Sequence, residues 1–314
     1  MRSVIFITAC ICLLHPLFGQ NAEKHYQQSL LKIKEKGYTE ALTLIDKAIA
    51  ENPDSAKYFY TRAIICSALG MWQQFYKDVD HAIYLKKDYA EAYLLRAGIL
   101  KDAGQFYDAI KDANMAIMLA PNDSIRYWSY CARGNAKWSM NKPQEAYEDY
   151  LECLKIDSLD PAAYWGIGNC LDDMGKPAEA IQFLLKAFAL DTTTLGPLIS
   201  VSYQLGVMGD HSAAITYATR VIDKDPGVKS KSYAYNNRGY SKMKLGDYKG
   251  AREDINKSIQ LNPYNPYAYR NRALVYIELK KHKKACKDLD KALELGFTVR
   301  YGNEVIELQN KYCR

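Results

Sequence analysis

The chain has 314 residues, 42 Lys+Arg against 36 Asp+Glu for a formal net charge of +6, and 26 tyrosines. Charges of both signs are interspersed with no long like-charged block, which argues against a nucleic-acid partner. A chain this long would suggest about two domains of ~150 residues, a prior that stacked repeat arrays escape because they grow by addition.

Residues 1–20 differ in character from the rest of the chain. Arg2 precedes an apolar run from Val4 to Leu14, followed by His15-Pro16 and a short stretch ending at Gly19-Gln20. That is the layout of a secretory signal peptide, too short to span a bilayer comfortably. Cleavage is expected near Gly19 or Gln20, giving an exported protein, periplasmic or extracellular. Ile7-Thr8-Ala9-Cys10 resembles a lipoprotein cleavage box, but the apolar run before Cys10 is short and Ile11 to Phe18 stays largely apolar. A lipid anchor or an uncleaved signal is the alternative.

From Ala22 onward the chain repeats itself in a 34-residue frame, with copies starting at Ala22, Ala56, Ala90, Tyr127, Pro161, Leu195, Ser232 and Pro266. The seventh copy is the clearest: Tyr235, Gly239 and Met243 line one face of a first helix, and Ala251, Ile255 and Ser258 one face of a second. Gly246-Asp247 turns between them and Pro263 ends the unit. The eighth place of the frame is small in every copy: Ser29, Ala63, Ala97, Gly134, Gly168, Ser202, Gly239 and Ala273. The twentieth is Ala41, Phe75, Ala109, Ala146, Ala180, Ala214, Ala251 and Ala285, and the twenty-seventh is also mostly alanine. Small residues at fixed seams let two helix backbones approach closely.

This frame resembles the tetratricopeptide repeat, a helix-turn-helix unit of 34 residues. The resemblance covers about Ala22 to Val299, with departures at Phe75, at Leu198 (fourth place) and in the first copy. It implies an all-α fold, a right-handed α-solenoid of about eight helix-turn-helix units with a C-terminal capping helix. The expected organisation is units one to three over 22–123, four to six over 127–228, seven and eight over 232–298, and the cap over 299–314. Two insertions, Ser124–Arg126 and Lys229–Lys231, separate these groups; they are read as surface loops or as places where the superhelix changes curvature.

The seventh and twenty-third places co-occur. Arg62, Arg96, Arg133, Arg238 and Arg272 accompany Asp78, Asp112, Asp149, Asp254 and Asp288, while the three copies lacking the arginine carry Gln28 with Leu44, Ile167 with Phe183, and Val201 with Tyr217. We expect an ion pair between the two helices of one hairpin, because pairing to the neighbouring copy would strand several members. The capping helix should present Val305, Leu308 and Tyr312 to the last hairpin. Lying antiparallel to the preceding helix, it brings Cys313 near Cys286, where an exported protein forms either a disulfide or two unpaired thiols. Cys66, Cys131, Cys153 and Cys170 fall singly on separate helices, without metal-ligand spacing.

No catalytic or phosphate-binding motif occurs, and the mature histidines are scattered, so neither an enzyme nor a cofactor or metal is expected. Function is therefore expected from a surface. The resemblance implies that the second, fifth, ninth, twelfth and thirteenth places line a concave groove. Here they carry Tyr26, Tyr60, Trp128, Trp138, Trp165, Tyr203, Tyr233, Tyr240 and Tyr267, with Asn135, Asn169 and Asn236. Aromatic rings with polar tips and backbone-bonding amides suit an extended peptide, with the tryptophans of copies four and five as the expected centre. The expected function is an exported scaffold holding a protein or peptide segment in this groove. A glycan-binding groove and an accessory subunit of an envelope assembly are the alternatives.

Overall fold

The computed structural model describes residues 20–224, 227–298 and 302–313. The expected signal peptide, Gln20 apart, lies outside the described residues, as does the start of the expected cap at 299–301. All regular structure among the described residues is α-helical. The chain divides into two compact units, Met1–Lys142 and Pro143–Arg314, each considered by itself.

The first unit holds α1 (20–34), α2 (Tyr38–Glu51), α3 (Ala56–Ala68), α4 (Trp72–Leu85), α5 (Ala90–Asp102), α6 (Phe106–Leu119) and α7 (Asp123–Ser139). The second holds α8 (Pro143–Ile156), α9 (Pro161–Asp173), α10 (Pro177–Leu190), α11 (Gly196–Val207), α12 (His211–Lys224), α13 (Val228–Lys244), α14 (Tyr248–Leu261), α15 (Pro266–Glu278), α16 (His282–Glu294) and α17 (Glu304–Tyr312). Odd-numbered helices up to α15 are the first helices of the repeat and even-numbered ones the second.

Helix starts follow local chemistry. Pro143, Pro161, Pro177 and Pro266 open helices, where their missing N–H is one that has no intrahelical acceptor anyway. Asp160 caps α9 by accepting from the backbone N–H of Ala162 and Ala163 at 2.9 and 2.7 Å. The two insertions are helical rather than loops. They lengthen α7 and α13 to 17 residues each. In α7 the reason is visible: Asn122 accepts from the N–H of Ile125 at 3.0 Å and so moves the cap upstream. Three added residues are nearly one full turn, so the inward face keeps its register.

The small seams do what their size permits. A methyl group added at Gly239 would sit 2.6 Å from Ile255 Cγ1 and 3.0 Å from the Ala251 carbonyl oxygen, so α13 and α14 approach with no room for a side chain there. Ser29 takes the same place in the first copy and donates its hydroxyl to the Ala41 carbonyl at 2.9 Å. Phe75, the large exception at the twentieth place, is fully buried with Ala63, Cys66 and Val79.

Four of the expected arginine–aspartate pairs lie within single units, and each is a two-bond fork. Arg62 donates Nε and Nη2 to Asp78 at 2.8 and 2.7 Å, and Arg96 grips Asp112 at 2.6 and 2.8 Å. Arg238 holds Asp254 with both bonds at 2.8 Å, and Arg272 holds Asp288 with both at 2.7 Å. Of the fifth pair, Arg133 belongs to the first unit and Asp149 to the second. The carboxylates are buried, and the bonds to them raise the guanidinium pKa of Arg62, Arg96, Arg238 and Arg272 above its ordinary value.

The arginines do more than hold their own hairpin. The remaining nitrogen, Nη1, reaches the second helix of the preceding copy: Asp46 from Arg62 at 2.8 Å, Asp80 from Arg96, Asn114 from Arg133 at 2.6 Å, Thr219 from Arg238 at 3.1 Å and Asn256 from Arg272 at 2.8 Å. All five acceptors occupy the twenty-fifth place of the frame. Before the copies that carry Ile167 and Val201 instead of arginine, that place is Leu151 and Leu185, and both leucines pack with the same apolar cluster as Ile167, Val201, Phe183 and Tyr217. Two different glues therefore hold the hairpins together.

At the C-terminal end, Val305 of α17 is fully buried with Phe297 and Leu289, and Leu308 packs on the same cluster. Gln309 donates to Asp290 at 2.6 Å, the twenty-fifth place of the last copy, so α17 takes the contact a ninth repeat would make. Cys286 and Cys313 are joined as a disulfide with Cα atoms 5.6 Å apart.

Two outcomes test this account of the packing. Arg272→Leu leaves the Asp288 carboxylate buried and unpaired and should lower stability by about 3–5 kcal/mol, while Arg272→Leu with Asp288→Leu restores most of it; denaturant unfolding reads both, and equal losses in single and double variants would contradict the fork. Reducing the disulfide should remove about 3–4 kcal/mol from the last hairpin and cap. Amide hydrogen exchange would then accelerate over α16 and α17 while α3 to α6 stay unchanged.

Candidate binding cleft

The residues expected to line a groove divide between the two units. In the first, α7 presents Trp128, 56% exposed, together with exposed Asn135 and Trp138. In the second unit, Trp165 does not stand free as a groove centre. A methyl group added at Gly196 would meet its ring at 2.4 Å, so the indole lies over the bare backbone at the start of α11, with its N–H buried and unpartnered. Glycine at that place leaves the flat surface the ring covers. Asn169 is half-buried on the same helix as Trp165.

Tyr26 and Tyr60 lie on α1 and α3 of the first unit, whereas the other five expected residues, Tyr203, Tyr233, Asn236, Tyr240 and Tyr267, converge. They line a cleft of about 740 Å³ in the second unit, formed by α11, α13 and α15 and closed at one end by Leu295 to Phe297 and Glu304. Tyr203 from α11 is 41% exposed and Tyr233 from α13 is exposed beside it. Burial first, then the Asp172 carboxylate, raises the Tyr203 phenol above its ordinary pKa. Tyr240 lies 6.2 Å from the His211 ring, and burial together with Lys244 lowers that imidazole's pKa.

The floor is a chain of polar side chains that the periodicity alone did not bring together. Arg270 Nη1 donates to Asn271 Oδ1 at 2.7 Å, and Asn271 Nδ2 donates to Asn236 Oδ1 at 2.9 Å. Asn237 donates to the Ile199 carbonyl at 3.2 Å and to Ser202 Oγ at 3.0 Å, tying α13 to α11. Asn236 is therefore built into the wall, buried with one amide oxygen committed. Two groups on the lining remain without partners: the Ser241 hydroxyl, 1% exposed, and the Asn265 Nδ2, 4% exposed, whose Oδ1 caps α15 by accepting from Tyr267 N–H. Buried polar atoms left unpaired are unfavourable by roughly 1–3 kcal/mol each, and a ligand bringing a hydroxyl or carbonyl recovers that.

Arg270, Asn271, Asn265, Ser241 and Glu304 were not among the expected site residues. One signal for Arg270 was present: it is the only charged residue at the fifth place of the frame, which otherwise reads Tyr26, Tyr60, Leu94, Cys131, Trp165, Ile199 and Asn236. Glu304 lies beyond the frame and carried no such mark. Among the described residues, no three His, Cys, Asp or Glu side chains converge as a metal site, and no helix is long and apolar enough to cross a membrane.

The fold is thus a helical-repeat scaffold with a polar and aromatic cleft in its second unit. Tetratricopeptide repeat family models match residues 131–192, 232–265 and 266–295, so the chain carries tetratricopeptide repeats. Among curated proteins it is similar to a tetratricopeptide repeat-containing protein of Methanocaldococcus jannaschii, 24% identical over 256 residues that cover 80% of this chain and 39% of the relative. It is also similar to serine/threonine-protein phosphatase 5 of Rattus norvegicus, 29% identical over 146 residues covering 45% of this chain and 28% of the phosphatase. The chain thus spans less than half the length of the curated relatives it matches. Among solved structures, a tetratricopeptide repeat protein from Parabacteroides merdae aligns with TM-score 0.63 at 15% identity, over 82% of this chain and 99% of that one. The pilF protein of Pseudomonas aeruginosa aligns with TM-score 0.60 at 16% identity, over 67% of this chain and 94% of that one. At these identities the likeness is one of fold.

Proposed function

We propose that the chain is an exported, non-enzymatic scaffold that binds an extended segment of a partner protein in the cleft between α11, α13 and α15. The observation that carries this reading is the pairing of exposed tyrosine walls with buried polar groups that lack partners, Ser241 Oγ and Asn265 Nδ2. Tyrosine rings contribute large contact area with little side-chain entropy to lose, and the unpaired amide is a donor for a backbone carbonyl. Tetratricopeptide repeats are typical of protein-interaction scaffolds, which agrees with this reading.

Export with a cleaved signal rests on the layout of residues 1–20, and N-terminal sequencing of the protein recovered from its native compartment tests it: a mature chain starting near Gln20 or Asn21 supports it, and an intact Met1 opposes cleavage.

For binding, random dodecapeptides displayed on phage and selected on the full chain should yield extended binders. Tyr203→Ala and Tyr240→Ala should each weaken a resynthesised binder by about tenfold or more, as expected when a hot-spot ring is removed. A glycan array probed with the same protein distinguishes the alternative. Glycan binding lost in the same two variants, with no peptide recovered, would overturn the peptide reading.

A further inference from the structure

The cleft has its own tenant at one end. Glu304, the first residue of α17, receives Arg270 Nε at 3.0 Å on one carboxylate oxygen and Arg270 Nη2 on the other. The arginine side chain is 16% exposed and the glutamate 43% exposed, so the guanidinium is enclosed by the cleft while the carboxylate reaches it from the solvent side. The Arg270 guanidinium also lies 5.7 Å from the Tyr240 ring centre, beside the tyrosine wall that the proposed segment would contact.

The arrangement differs from the four structural forks. Those pair an arginine at the seventh place with a buried aspartate on the adjacent helix of the same hairpin. Arg270 sits two places earlier, on the cleft side of α15, and its carboxylate comes from a separate segment 34 residues away. That segment is held independently. Val305 and Leu308 pack on the last hairpin, Gln309 bonds Asp290, and Cys313 is covalently tied to Cys286. The cap therefore does not need Glu304 to stay docked.

We propose that Arg270 is the acid-recognising subsite of the cleft and that Glu304 is a built-in competitor occupying it. The proposal rests on the peptide reading above and adds the ligand class to it: a protein segment with an Asp or Glu side chain placed against Arg270. An entering carboxylate exchanges for Glu304, whose half-exposed side chain swings to solvent while α17 remains in place. Because a two-bond arginine–carboxylate contact is both strong and geometrically selective, the resident glutamate lowers apparent affinity for acidic segments by the fraction of time it holds the arginine.

The test uses dodecapeptides selected on phage against the full-length protein and against full-length Glu304→Gln, which keeps the shape of the side chain and removes its charge. Selection on E304Q should return peptides with an acidic residue at one fixed position. Resynthesised, such a peptide should bind E304Q about tenfold more tightly than the unsubstituted protein. Changing its acidic residue to the amide should weaken binding to E304Q by a similar factor, and to Glu304→Gln with Arg270→Gln by less than about twofold. Unchanged far-ultraviolet dichroism and an intact disulfide in each variant exclude loss of the cap. Peptides that bind all three proteins equally would overturn the proposal and leave the cleft reading standing. Failure to recover any peptide from either selection would overturn both.

Discussion

The arginine fork at the seventh place of the repeat is the interaction the array depends on. One guanidinium makes three contacts that a lysine's point charge does not reproduce: two parallel bonds to a buried carboxylate on its own hairpin, and a third to the preceding hairpin. Alanine and glycine seams bring helices close but specify little about which hairpin follows which. The fork supplies that specification, because its third bond is satisfied only when the twenty-fifth place of the previous copy is in register. Arg62 with Asp46 and Arg272 with Asn256 show the same geometry near opposite ends of the chain.

The middle of the second unit shows that the fork is replaceable as a set. Ile167, Phe183 and Leu151 stand where arginine, aspartate and acceptor stand elsewhere, as do Val201, Tyr217 and Leu185 one copy later. A buried ion pair and a well-packed apolar trio can be close in net energy, whereas a half-exchanged set leaves a charge stranded. That accounts for the joint change of all three places. The apolar packing thus runs from α8 to α12, through the first of the cleft-forming helices, and the forks of Arg238 and Arg272 hold the hairpins of the other two.

Much of this was legible in the chain itself. Eight copies of a small-residue frame give helix pairs and their order, and the joint presence of arginine and aspartate gives the intra-hairpin pair. The third arginine bond escaped because its acceptors are chemically mixed, Asp46, Asn114 and Thr219 among them, and mixed polar residues on a helix read as solvated surface. The insertions read as loops because nothing in their composition shows that three residues add one turn; Asn122 decided it by capping early. Tyr203, Tyr233, Asn236 and Tyr240 were legible as lining from the frame. The packing of Trp165 depends on a glycine in the next copy, and the partner of Arg270 lies outside the frame, so neither is visible in a single repeat.

The central claim is that the cleft of the second unit, and not the outward face of its helices, holds the partner segment. Site-resolved photo-crosslinking puts the two surfaces in direct competition. Benzoylphenylalanine at Tyr240, inside the cleft, is compared with the same probe at Lys186 on the exposed side of α10, each in the full chain within its native compartment. The account predicts one discrete adduct from the Tyr240 position, with the attached peptide identifiable by mass spectrometry, and none from Lys186. An adduct formed from Lys186 alone would contradict it.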